Sequence, residues 1–142
     1  MPLPFEFIED IALADVAFRA WGDSAEEVFT AAAAATMQVM VAELGSIAPQ
    51  VERRAELAHA ELDLLRCDFL QEFIYYKDAE RFLLLPVELQ LCAGYRLEAR
   101  LCGEALDPQR HELRVDVKAV TMHRFSLVQD QAGWRAEVVL DI

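Results

Sequence analysis

The residues best suited to do chemistry in this sequence are oxygen donors at its end. Asp141 is followed by Ile142, which carries the free α-carboxylate. Two carboxylates one residue apart, with backbone carbonyls, offer the hard oxygen ligands that Ca²⁺ and Mg²⁺ take. Asp15 would extend the cluster if the strand containing it lies beside the last strand. The plainer alternative is a solvated acid on a frayed terminus. Other searches for chemistry find no assembled site. The sequence has no Walker A loop, G-x-G-x-x-G, H-E-x-x-H or G-x-S-x-G. His59, His111 and His123 are scattered, and no cysteine stands near them at zinc-ligand spacing. Cys67 sits among Leu64, Leu65, Phe69 and Leu70, so it reads as a buried thiol rather than a nucleophile.

The elements that must position these residues follow from periodicity. Asp15 to Trp21 is a strand candidate with Val16, Phe18 and Ala20 on one side. Ser24 and Glu27 have capping-box spacing, and Val28, Phe29, Ala32, Ala33, Thr36, Met37, Met40, Val41 and Leu44 then recur at helical intervals. Gly45 supplies the stop. A second helix is expected from about Glu61 to Asp78, with Leu62, Leu65, Phe69, Phe73 and Tyr76 as its apolar stripe. Val51 to Ala60 alternates weakly and reads as a strand. Val87–Cys92 and Tyr95–Cys102 read as a hairpin about Ala93-Gly94. Leu113–Val128 is expected to be one long strand, and after Asp130-Gln131-Ala132-Gly133 the last strand carries Trp134, Ala136, Val138, Leu140 and Ile142 on one face. Each helix has an apolar face that needs a sheet to cover. The expectation is a single α+β domain over 1–142, mainly antiparallel sheet with two amphipathic α-helices.

Composition bounds the function. With 13 Lys and Arg against 25 Asp and Glu, the formal charge is −12. So acidic a surface repels phosphate backbones, which argues against direct, independent binding of nucleic acid. It can instead be steered toward a basic protein or toward cations, although the charge could simply keep the protein in solution. No apolar run approaches the roughly 20 residues that span a bilayer, and the first residues lack the basic and apolar regions of a signal peptide. A cytoplasmic protein is expected. Cys67, Cys92 and Cys102 show no paired spacing. The hairpin would hold Cys92 and Cys102 too far apart for a disulfide, so reduced thiols are expected.

Several strings resemble one family. Ala14-Asp15-Val16-Ala17-Phe18-Arg19-Ala20-Trp21-Gly22 is followed by Asp23-Ser24-Ala25-Glu26-Glu27-Val28-Phe29 at the first helix. Leu65-Arg66-Cys67-Asp68-Phe69-Leu70-Gln71-Glu72-Phe73-Ile74-Tyr75 lies on the second. Downstream come Gly103-Glu104, Asp107-Pro108, His111-Glu112-Leu113 and then Asp116-Val117-Lys118-Ala119-Val120-Thr121-Met122-His123, with Leu140-Asp141-Ile142 at the end. In this order and spacing, over nearly the whole chain, they resemble the archease family. The resemblance implies an accessory cofactor of an RtcB-type RNA-splicing ligase, which promotes guanylylation and turnover of that ligase in tRNA splicing and RNA repair. It also implies a divalent-metal site, seen as calcium, with Mg²⁺ or Mn²⁺ as alternatives, on Asp15, Asp141 and Ile142. The protein would then not itself be an enzyme. Glu72, Lys118 and His123 are weaker candidates for contact with the partner, each with a plain reading as a solvated or satisfied side chain. The sequence departs from the family at Ala12-Leu13-Ala14, where members read His-Thr-Ala. That departure keeps open a second reading, a chaperone-like adaptor for nucleic-acid-processing proteins with no metal requirement. A metal-dependent hydrolase on Asp15 and Asp141 is a distant third.

Overall fold

The structure, a computed structural model, describes residues 4–8 and 15–142, without the side chains of 122–125. Its strands are β1 (Phe5–Ile8), β2 (Asp15–Gly22), β3 (Val51–Ala58), β4 (Phe82–Cys92), β5 (Arg96–Ala105), β6 (Ala119–Asp130) and β7 (Gly133–Asp141). The helices are α1 (Ala25–Met40) and α2 (Leu62–Tyr75). One sheet runs β1-β2-β7-β6, the other β3-β5-β4, and every pairing is antiparallel. This is the expected α+β architecture. Among the described residues no helix is long and apolar enough to cross a membrane.

The helix α1 begins where capping predicts. Ser24 Oγ accepts from the Glu27 amide at 3.2 Å, while Glu27 Oε2 reaches back to the Asp23 amide at 2.6 Å. Its alanines favour helix intrinsically and leave room for close neighbours. The helix packs on β2 and β7 on one side and on β4 on the other. It is therefore buried nearly all round, with Val28, Phe29, Ala32, Ala33, Ala35 and Met37 at 0% exposure, rather than amphipathic with a single covered face.

Gly45 is not what ends α1. The helix stops at Met40, and Val41 turns extended to bridge Leu113. The last carbonyls find partners across the chain: Arg114 N–H donates to Met40 O (2.8 Å) and Val115 N–H to Val39 O (3.2 Å). This also corrects the expected strand over Leu113–Val128. The amides of Arg114 and Val115 go to helix carbonyls rather than to a neighbouring strand, the chain rejoins β7 through the Lys118 amide, and β6 begins only at Ala119. Leu113 and Val115 are consequently exposed, at 44% and 41%. The helix α2 also ends early, at Tyr75, and the chain continues as a π-helical turn over Tyr76–Glu80. The strand β4 starts five residues before its expected beginning because it is an edge strand that tolerates Pro86 at a bulge.

The inner face of the first sheet pairs Val16 with Leu140, Phe18 with Val138 and Ala20 with Ala136, all packed in or against the common core. The outer face pairs Arg19 with Glu137 (3.0 Å) and Glu6 (3.4 Å). Such exposed ion pairs contribute little energy each, but they match only in this register. In the second sheet Gly103 lies opposite both Val51 and Leu84, and a Cβ there would stand 1.8 Å from Leu83 O. No side-chain rotation relieves a clash with backbone. Gly103→Ala is therefore expected to destabilise the fold by about 3 kcal/mol or more, read as a lower urea midpoint with an unchanged denaturant slope.

Candidate functional site

The pairing of β2 with β7 sets Asp15 directly opposite Asp141, and β6 continues the row with Ala119. Both aspartates are half-buried, as is Ile142, which packs against the core. Directly opposed residues in an antiparallel pair share a face and hold their Cβ atoms about 5 Å apart. Like charges in that position repel and destabilise the pairing. A divalent cation shared between them would reverse the sign of that interaction. The Asp141 carbonyl accepts from the Lys118 amide at 2.8 Å, and the two side-chain carboxylates are the charged oxygens of this row. These hard oxygens fit Ca²⁺ or Mg²⁺. Among the described residues no group of three His, Cys, Asp or Glu forms a ready metal cluster.

Of the other sequence candidates, Lys118 is exposed and next to the acidic pair through its own amide bond to Asp141. Glu72 sits on α2, half-buried, its carboxyl pushed up by burial and then by Asp68. Among the described residues no hydrogen bond or ion pair joins it to the strand-end group. The side chain of His123 lies outside the described residues, as do Glu9, Asp10 and Ala12 to Ala14. Burial pushes the Cys67 thiol up, away from the reactive thiolate. Cys92 and Cys102, both half-buried, are free thiols.

Two networks that sequence reasoning missed hold the segment leading to Lys118. Glu104, on β5 and 4% exposed, accepts from the Ala48 amide (2.7 Å), from His111 Nε2 (2.9 Å) and from Arg110. His111 Nδ1 accepts from the Asp107 amide at 3.0 Å, so Nε2 carries the proton and donates to Glu104. Arg110, the Ala48 amide and His111 together hold the Glu104 carboxyl down at about 2. The string Gly103-Glu104 to His111-Glu112-Leu113 is thus a structural lock. The second network centres on Lys77. This lysine is 7% exposed and bonded to Asp116, to Val117 O (3.0 Å) and to Asp78 (2.8 Å). Its signal was available, since position 77 continues the buried stripe of Phe73 and Ile74. Beneath β6, the fully buried Arg66 of α2 donates to Ser126 O at 2.5 Å. Burial pulls its guanidinium down to about 10.

Residues 5–142 match the Archease protein family (MTH1598/TM1083). The chain is 35% identical over 133 residues to the "Protein archease" of Pyrococcus abyssi, covering 91% of this chain and 93% of that one. It is 30% identical over 142 residues to that of Methanosarcina mazei, covering 97% and 95%. In structure it resembles a Methanobacterium thermoautotrophicum protein solved in solution, with a TM-score of 0.83, 30% identity, and coverage of 99% and 100%. A Thermotoga maritima crystal structure, named "an archease, possible chaperone", shares the fold at a TM-score of 0.67 with 19% identity over 92% and 93% of the chains.

The Glu104 lock predicts acid sensitivity of definite sign. The folded carboxyl is depressed from 4.5 to about 2, so its contribution is complete above about pH 4.5. It is lost progressively as pH falls through about 2. Replacing Glu104 with Gln should flatten the fall in thermal stability between those pH values, and calorimetry across that window checks it.

Proposed function

The chain belongs to the archease family, and from that premise we propose that it is a non-catalytic protein cofactor that activates an RtcB-type RNA ligase in tRNA splicing and RNA repair. The observation that carries the site is the register that opposes Asp15 and Asp141. In this reading Asp15, Asp141 and Ile142, the last through main-chain or terminal oxygen, hold a divalent cation, Ca²⁺ first. A bound cation would supply positive charge that polarises phosphate oxygens. The chain's own residues place that charge. Asp15 and Asp141 fix its position on a three-strand row, and Lys118, whose amide bonds the Asp141 carbonyl, adds an exposed lysine just before β6. Glu72 and His123 remain candidate partner contacts. The acidic end, on a chain of net charge −12, is drawn to a basic ligase surface. Help of this kind acts by placement and electrostatics on the ligase's own guanylylation, and the proposed setting is the cytoplasm.

The second reading, a metal-independent adaptor for nucleic-acid-processing proteins, draws on Ala12-Leu13-Ala14 standing where relatives of the resemblance carry His-Thr-Ala. Capture from the native host separates the two, since enrichment of a ligase supports activation and a range of clients supports the adaptor.

Ligase guanylylation with GTP, measured with and without this protein, is the direct test, and no acceleration of any of several RtcB-type ligases rejects the proposal. Asp141→Ala should lower Ca²⁺ affinity by at least about tenfold, measured by titration calorimetry, and should reduce activation in parallel.

A further inference from the structure

We propose that Lys77 is a positioning residue that holds Lys118 beside the Asp15–Asp141 pair, by pinning the segment of residues 114–118 from the far side. The inference starts from a local conflict. Position 77 extends the buried stripe of α2, three and four residues beyond Ile74 and Phe73, which are 3% and 1% exposed. An aliphatic side chain would fill that place without desolvating a charge. A buried ammonium is costly unless its donors are met, and here three acceptors meet them: Asp78 on the same turn, Asp116, and the Val117 carbonyl. Two of the three belong to the 114–118 segment, a strap that runs from the end of α1 to β7.

What the strap needs is a register. Its amides at 114 and 115 bond to the end of α1, and its amide at 118 bonds to Asp141 O. Leu113 and Val115 bury too little to anchor it. Between these points Val117 is at 0% exposure and Lys118 is exposed. A one-residue slip of an extended segment exchanges its faces, which would bury the lysine and expose the valine. The Lys77 bond to the Val117 carbonyl, fixed by charge on Asp116, opposes that slip. The π-helical turn over Tyr76–Glu80 brings the ammonium to this point, and Arg81 closes it in the left-handed region at φ 59°. Single π turns inside helices recur at functional sites.

The inference rests on the proposed role of Lys118, and its test separates the two. Lys77→Met keeps the bulk and removes the charge. Asp116→Asn, at a side chain that is 69% exposed, weakens the same clamp with little risk to folding. In either variant the amides of Arg114, Val115 and Lys118 are expected to exchange hydrogen faster, by about tenfold or more in Lys77→Met, which loses both of the ammonium's bonds to the segment, while β2 and β7 amides are unchanged. Ca²⁺ affinity should hold, since the aspartates lie on those strands. In ligase guanylylation, Lys77→Met with Lys118→Ala should be no worse than Lys118→Ala alone, because one acts through the other. Additive losses, or unchanged exchange at 114–118 in both variants, overturn the positioning role. If Lys118→Ala leaves guanylylation intact, the partner-contact reading of Lys118 fails, and the exchange result alone decides the clamp.

Discussion

The structure depends on one antiparallel pairing, that of β2 with β7. It joins residues near the two ends of the chain, places both strands at the centre of a four-stranded sheet, and supplies half of the floor on which α1 lies. Loop closure over so long a separation is entropically expensive, so the pairing must be well specified. Three features specify it. The inner row of Phe18, Ala20, Ala136 and Val138 is buried to within 2%. The outer row matches Arg19 with Glu137. At the end remote from the aspartates, Gly133 comes so close to the Gly22 carbonyl that a Cβ would stand 2.7 Å from it, and its φ of +120° suits glycine alone. At the open end of the ladder the same register sets Asp15 opposite Asp141.

Much of this was legible in the sequence. The Ser24–Glu27 cap, the hairpin turn and the last strand all follow from local chemistry, because their determinants lie within a few residues of one another. The acidic pair was legible for a different reason: both aspartates stand at the ends of strand patterns, so a single assumption about which strands are neighbours brings them together. Cys92 and Cys102 lie at opposite ends of their hairpin for the same reason, the former paired with Arg96 and the latter with Leu85.

What was not legible lay in long-range hydrogen bonding. Leu113, Val115 and Val117 alternate with Arg114 and Asp116 as a strand should, yet the amides of 114 and 115 go to Met40 and Val39. Periodicity reports which way side chains point, and is silent on where amides bond. The run Phe82-Leu83-Leu84-Leu85-Pro86 failed in the opposite sense: it has no alternation and contains a proline, and only the knowledge that β4 is an edge makes it a strand. Glu104 and Lys77 reach partners 56 and 39 residues away, beyond any local rule. Both signalled themselves only as charges in company where charges are rare.

These two charges give the molecule a common logic. Glu104 ties the loop that enters the strap, through Arg110 and His111, to the second sheet. Lys77 ties the strap's middle to the π-helical turn after α2, and the Lys118 amide ties its end to β7. With Val117 its one fully buried apolar side chain and Leu113 and Val115 exposed, the segment gains little from the hydrophobic effect, whose strength scales with the area removed from water. Directional bonds to buried charged groups can hold it, and they fix register as well as location. The strap that carries the exposed lysine and the ladder that carries the acids are therefore held chiefly by different forces, polar networks for the first and strand pairing for the second, and they meet where the Lys118 amide donates to the Asp141 carbonyl.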